Sequence, residues 1–151
     1  MTDRDANCLF CKIAGGEIPA DIVHQDDLVL AFRDINAKAP THVLLIPRRH
    51  IASAAELGAQ DAEMLGRLFS VAAQVARDAG VERGYRLVSN VGAGAGQSVP
   101  HLHFHVVPRR FKDGLRGFFW PRQAYRDASH AREIAAAVRA AVQQLKERRA
   151  V

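Results

Sequence analysis

Cysteine is scarce in this chain: there are two, Cys8 and Cys11, spaced C-x-x-C. No apolar signal core precedes them in MTDRDANCLF, so a structural disulfide is not expected. Metal ligation or redox chemistry remain as uses for the pair. A redox pair should follow an apolar strand and open a helix, and too little chain precedes Cys8 to form that strand. No apolar run approaches the roughly 20 residues of a membrane-spanning helix, which leaves a soluble, cytoplasmic protein as the expectation. Internal repeats and low-complexity linkers are missing as well. The net charge is +5, with much of the excess late, at Arg109, Arg110, Lys112, Arg116, Lys146, Arg148 and Arg149. That balance suits any anionic ligand. The aromatic-interleaved basic stripe that stacks single-stranded bases is not there, so nucleic acid ranks last among partners.

What is present is a core-forming composition, 48% hydrophobic over 151 residues, enough for one domain spanning 1–151. Residues 1–7 read as a loose tail and Cys11 to Gly15 as a short helical turn. Ile22–His24 and Leu28–Arg33 read as strands around a Gln25-Asp26-Asp27 turn, and His42–Pro47 as a buried strand. Apolar residues at 64, 65, 68, 69, 72, 75 and 76 predict a helix over Asp61–Ala79, closed by Gly80. Strands over Tyr85–Val91 and His101–Val107 flank a loop with Gly92, Gly94 and Gly96. Residues 109–128 read as an irregular arm with aromatic anchors at Phe118, Phe119 and Trp120, followed by Pro121. Ser129 is placed to cap a last helix. Strands and helices segregate, which predicts an α+β fold: an antiparallel sheet with one long helix packed on it, plus a C-terminal helix.

The chemistry concentrates in SVPHLHFHVVP, residues 98–108. Alternate side chains of a strand share a face, so His101, His103 and His105 point one way and Leu102, Phe104 and Val106 the other. Three imidazoles are costly to bury unpaired. An exposed strand with incidental histidines, a metal site built from all three, and nucleophilic catalysis by a neutral imidazole are the alternatives. The preceding NVGAGAGQSVP tilts the choice, because its glycines let backbone N–H groups approach phosphate oxygens and Gln97 and Ser98 add donors. It is neither a Walker loop nor G-x-G-x-x-G. Such a loop beside a histidine stripe suggests a phosphate held against an imidazole.

His-Leu-His-Phe-His-Val-Val resembles the His-φ-His-φ-His-φ-φ pattern of the histidine triad (HIT) superfamily. LFCKIAGGEIPADIV, LAFRDINAKAPTHVLLIPRRHI and GQSVPHLHFHVVPR are similar, in the same order, to segments of its Hint-like branch. The likeness covers about residues 8–110, leaving about 111–151 as an extension. It implies a homodimer with joined sheets that cleaves purine nucleotides at the α-phosphate through a nucleotidyl-histidine intermediate. His103 would be the nucleophile, its tautomer fixed by a backbone carbonyl at the first triad position. His105, His42, Ser98 and Gln97 would serve phosphate and leaving group. Asp34 would hold the ribose hydroxyls, with a turn-capping role as the alternative. Phe10, Ile13, Ile18, Phe32, Ile35, Leu44, Asn90, Gly96 and Val99 would line the nucleotide site.

Some bacterial members with this Cys-x-x-Cys resemble zinc proteins, which implies Cys8, Cys11, His50 and His101 as a closed structural zinc site, with no metal needed for catalysis. The extension departs from the short Hint pattern and leaves the leaving group open. A nucleoside phosphoramidate-type substrate is the first expectation. A dinucleoside polyphosphate is the second, and a non-catalytic nucleotide-binding module the third.

Overall fold

A computed structural model describes residues 4–114 and 124–149, so Arg116, Phe118, Phe119, Trp120 and Pro121 lie outside the described residues. The chain divides into two compact units, Met1–Asp113 and Gly114–Val151. The first contains helix α1 (Leu9–Ala14), strands β1 (Ile22–Gln25), β2 (Val29–Arg33) and β3 (Val43–Pro47), helix α2 (Ala62–Asp78), and strands β4 (Tyr85–Val88) and β5 (Phe104–Pro108). The strands form one antiparallel sheet in the order β1-β2-β3-β5-β4. The α+β expectation therefore holds.

The sheet has two apolar faces. Val29, Ala31, Val43, Leu45 and Val106 pack with Leu102 against Met64, Leu68, Val71 and Ala72 of α2. The alternate residues Leu30, Phe32, Leu44 and Ile46 pack against Phe10, Cys11 and Ile13 of α1 and Cys8 just before it. β2 and β3 are thus buried on both sides, which explains their nearly continuous apolar sequence. The period-3.6 pattern of α2 follows from its single buried stripe. Gly80 sits just past its end at φ 68°, a left-handed position that favours glycine.

Three local expectations are corrected. Residues 5–7 are not a loose tail: the Cys8 N–H donates to the Asp5 carbonyl (3.1 Å) and α1 starts at Leu9, before Cys11. β4 ends at Val88, after which the Ser89 hydroxyl donates to the His103 carbonyl (2.8 Å). β5 begins only at Phe104, because residues 101–103 leave the ladder to make other bonds: the Leu102 N–H donates to the Ile51 carbonyl (2.6 Å). The alternation of faces survives this. Leu102 and Val106 join the α2 side, and His105 pairs with Leu44 on the α1 side.

The second unit holds α3 (Ala128–Arg149). Its cap is Asp127, whose Oδ1 accepts the His130 N–H (2.8 Å). Ser129, expected in that role, instead donates its hydroxyl to Glu133 (3.1 Å).

Candidate active site and metal centre

Five of the seven histidines fall into two groups with different surroundings. His101 is fully buried, and its Nε2 lies 2.9 Å from the Pro47 carbonyl. A carbonyl only accepts, so Nε2 carries the ring proton and Nδ1 keeps its lone pair. That lone pair faces Cys8 Sγ at 3.4 Å and Cys11 Sγ at 3.6 Å. His50 Nδ1 lies 3.3 Å from Cys11 Sγ. The donor atoms of Cys8, Cys11, His50 and His101 all lie within 4.8 Å of one another. A tetrahedral zinc with its usual S and N bond lengths sets S···N edges of about 3.5 Å, so the four donors fit such an ion. Two supporting bonds surround it: His101 to Pro47, and the Asp5 N–H to Cys11 Sγ at 3.4 Å. Burial pushes the Cys11 thiol up and His101 down to about 4. The first makes metal binding the stabilising route to a buried thiolate, and the second keeps the imidazole a lone-pair donor.

His103 is oriented by the same residue. Its Nδ1 lies 2.7 Å from the His101 carbonyl, so Nδ1 bears the proton and Nε2 is the free nitrogen. The Phe10 ring stands edge-on to His103 at 5.2 Å and to His101 at 5.9 Å. Phe10, expected in a purine pocket, stands in this structure as a wall against both rings.

His42 and His105 form a relay. The Lys38 backbone N–H donates to His42 Nδ1 (3.1 Å), which puts the ring proton of neutral His42 on Nε2. That proton points to His105 Nδ1 at 2.9 Å, so neutral His105 carries its own proton on Nε2. Asp34 Oδ2 stands 3.4 Å from His42 Nε2 and faces the same proton. Asp34, His42 and His105 also cluster closely enough to suggest a metal site, but the shared nitrogen of His42 is protonated in this arrangement. The cluster is a hydrogen-bond chain. The His103 and His105 ring centroids are 5.0 Å apart, so the chain ends beside the His103 ring.

His105 is held down to about 4, by burial first and then by the nearby His103 and His42, with Asp34 opposing; burial lowers His42 too. In the unfolded chain these imidazoles protonate near 6.5. The unfolded state therefore binds more protons between pH 6.5 and about 4, and stability falls as the pH falls through that window. Denaturant midpoints at pH 7.5, 6 and 5 should decrease in that order; a flat series would contradict neutral burial of the dyad.

The remaining expected residues are distributed as follows. Phe10, Ile13, Phe32 and Leu44 are buried on the α1 side of the sheet, with Ile18 and Val99 packed against them. Ile35 is 95% exposed, Asn90 is half-buried and Ser98 exposed. Asp34 divides its carboxylate: Oδ1 accepts the Asn36 N–H (2.8 Å), capping the turn, while Oδ2 faces His42. The turn-capping reading of Asp34 thus has its place in this geometry. Gly92 and Gly96 adopt φ 79° and 87°, closing the loop through a short 3₁₀ turn over Ala93–Ala95.

Three contributors escaped the sequence reading. The Lys38 N–H and the Ser89 hydroxyl act through backbone groups, which no side-chain pattern reveals. Asp61, buried beneath the Arg49 guanidinium, accepts the Gly58 N–H (2.8 Å) and anchors the segment beside His50 to the start of α2. A single acid at a helix start read only as a boundary.

A five-stranded antiparallel sheet presenting a pinned imidazole, a two-histidine relay and a glycine loop on one face defines a histidine-cluster α+β protein. Known proteins agree with that class. The HIT domain family matches residues 15–112, and the chain belongs to this family. The purine nucleoside phosphoramidase of Escherichia coli K12 is 48% identical over 103 residues, covering 68% of this chain and 87% of its own. A HIT family hydrolase from Clostridium thermocellum superposes with a TM-score of 0.71 at 42% identity, over 76% of this chain and all but 1% of its own. A HIT family protein from Bacillus anthracis gives 0.78 at 33% identity and covers 90% of this chain and 97% of its own. That cover runs past residues 15–112, so the extension is not peculiar to this sequence.

Proposed function

We propose that the protein hydrolyses a purine nucleotide at its α-phosphate through a nucleotidyl-His103 intermediate, with a nucleoside phosphoramidate as the first substrate class. The observation that carries this reading is the pinned tautomer of His103. Its proton is spent on the His101 carbonyl, and its nucleophilic lone pair stands beside a relay able to move a proton. The name of the Escherichia coli relative supports the substrate class.

In the first step Nε2 of His103 forms a bond to phosphorus and the bond to the leaving group breaks. The leaving nitrogen departs as ammonia with the protons that the phosphoramidate already carries on it, while the Nε2–H of His105, held in place by the His42 Nε2–H on its Nδ1, donates a hydrogen bond to it. Asp34 stabilises the dyad electrostatically or holds the ribose, according to the state of its Oδ2. In the second step water attacks phosphorus and its released proton passes to the ammonia formed in the first step, while the P–N bond returns its electron pair to Nε2 of His103. The products are a nucleoside monophosphate and the protonated leaving group. Ser98, exposed at the mouth of the loop, donates to the departing atom. Asn90, Gly96 and Val99 border the phosphates; Ile18, Phe32, Ile35 and Leu44 border the base.

Cys8, Cys11, His50 and His101 would hold a structural zinc, whose chemistry is to fix geometry rather than to act on phosphorus. The homodimer belongs to the same reading. It is supported by β4 standing at an edge of the sheet, a position that suits pairing with a second copy, and by the exposed Phe69 on α2. Catalysis belongs to the first unit, with the second as an extension that influences substrate choice. A cytoplasmic location belongs to the same reading.

Rates on adenosine phosphoramidate and on diadenosine tetraphosphate, measured side by side, test the assignment. A kcat/KM higher on the phosphoramidate by at least about tenfold is expected. The reverse order would favour the dinucleoside polyphosphate, and no turnover of either would favour a binding module.

A further inference from the structure

The amide of Gln97 is already committed. Its Oε1 accepts the Gly92 N–H (2.9 Å), and its Nε2 donates to the Ala52 carbonyl (2.7 Å) and the Val99 carbonyl (2.9 Å). A primary amide has two hydrogens, and both are used. A phosphate oxygen in contact with this side chain would meet only its carbonyl oxygen, and two acceptors repel. The same residue also closes the loop through its backbone, its N–H donating to the Gly92 carbonyl (3.1 Å).

What these bonds join matters. Gly92 opens the glycine loop and Val99 ends it. Ala52 lies two residues past His50, in the segment that also presents Ile51 to the Leu102 N–H and Pro47 to His101. The metal-ligating segment 47–52 and the loop-to-nucleophile segment 92–103 are therefore stitched together at three points. Gln97 is the only one of the three that reaches the glycine loop.

We propose that Gln97 is a positioning residue that couples the four-ligand centre to the phosphate loop, so that metal loading and nucleotide binding strengthen one another. This rests on the zinc and nucleotide readings above. A loop held by occupied donors at the phosphate end resists the displacement of Ala52 that loss of the metal would allow. By linkage, what the metal does for the nucleotide, the nucleotide does for the metal.

The test uses the full chain loaded with zinc, challenged with a chromophoric chelator, with and without adenosine monophosphate. In the wild type the nucleotide should reduce zinc transfer about fivefold, within the ordinary range of coupling between sites. Gln97→Met keeps the volume and removes the bonds. It should lose zinc roughly tenfold more readily than the wild type and show no nucleotide effect. Gln97→Glu, which sets a carboxylate against two carbonyls, should do the same. Circular dichroism confirms that each variant is folded, and if Gln97→Met is not, Gln97→Asn gives the same readout. If the variants hold zinc like the wild type and lose only nucleotide affinity, Gln97 is a phosphate ligand and the proposal fails. A wild type that binds zinc but not the nucleotide overturns the functional reading and the coupling together. Zinc loss from the variants without nucleotide then still decides whether Gln97 braces the metal centre.

Discussion

His103→Ala loses turnover by on the order of 10³-fold or more, while adenosine monophosphate still binds with affinity within a few-fold of the wild type. The asymmetry follows from where the residue sits. His103 is 4% exposed and presents one free nitrogen, with its other nitrogen fixed on the His101 carbonyl. Removing the ring deletes the bond-forming atom but leaves the glycine loop, Asp34 and the apolar wall in place. His105→Ala should be less severe, because water can replace a proton donor more readily than it can replace a nucleophile. Rapid quenching of the wild type on substrate should trap a nucleotide covalently bound to His103. A His103→Ala variant with substantial turnover would end the covalent mechanism.

Cys11→Ser abolishes metal retention and lowers stability by roughly 3 kcal/mol or more. For a chain of this size that is a fall in Tm of about 10 °C. Cys11 is 3% exposed and lies close to both His50 and His101, so the substitution removes a central donor. Chelator treatment should bring the wild type down to a similar Tm and leave the variant unchanged. Zinc content near one per chain in the wild type and near zero in the variant completes the test. Equal melting temperatures with and without chelator would show that the four side chains are held by packing alone.

Much of this was legible in the sequence, for reasons that differ by element. The stripe at 101, 103 and 105 was legible because strand periodicity is strict, and the faces came out as read even though β5 starts only at Phe104. α2 was legible from its apolar spacing. The four ligands came from resemblance, since nothing in local spacing ties Cys8 to His101. The capping of α3 was misjudged because Asp127 and Ser129 are both good caps, and only backbone direction separates them. Gln97 was read as a phosphate contact because its neighbourhood is phosphate-like. Its partners, Ala52 and Val99, are carbonyls that any residue could supply. Side-chain chemistry is written in the sequence; backbone partners found through folding are not.

The pairing of Cys8 with His101 has a consequence for how the chain reaches its fold. These ligands are 93 residues apart, so an ion held between them ties together almost the whole of the catalytic unit. In a polymer picture, closing a loop of that length removes on the order of 4 kcal/mol of conformational freedom from the unfolded ensemble. Zinc that stayed on the unfolded chain through part of its ligands would therefore shorten the search for the sheet. Refolding started with the metal present should be faster than refolding to which the metal is added late.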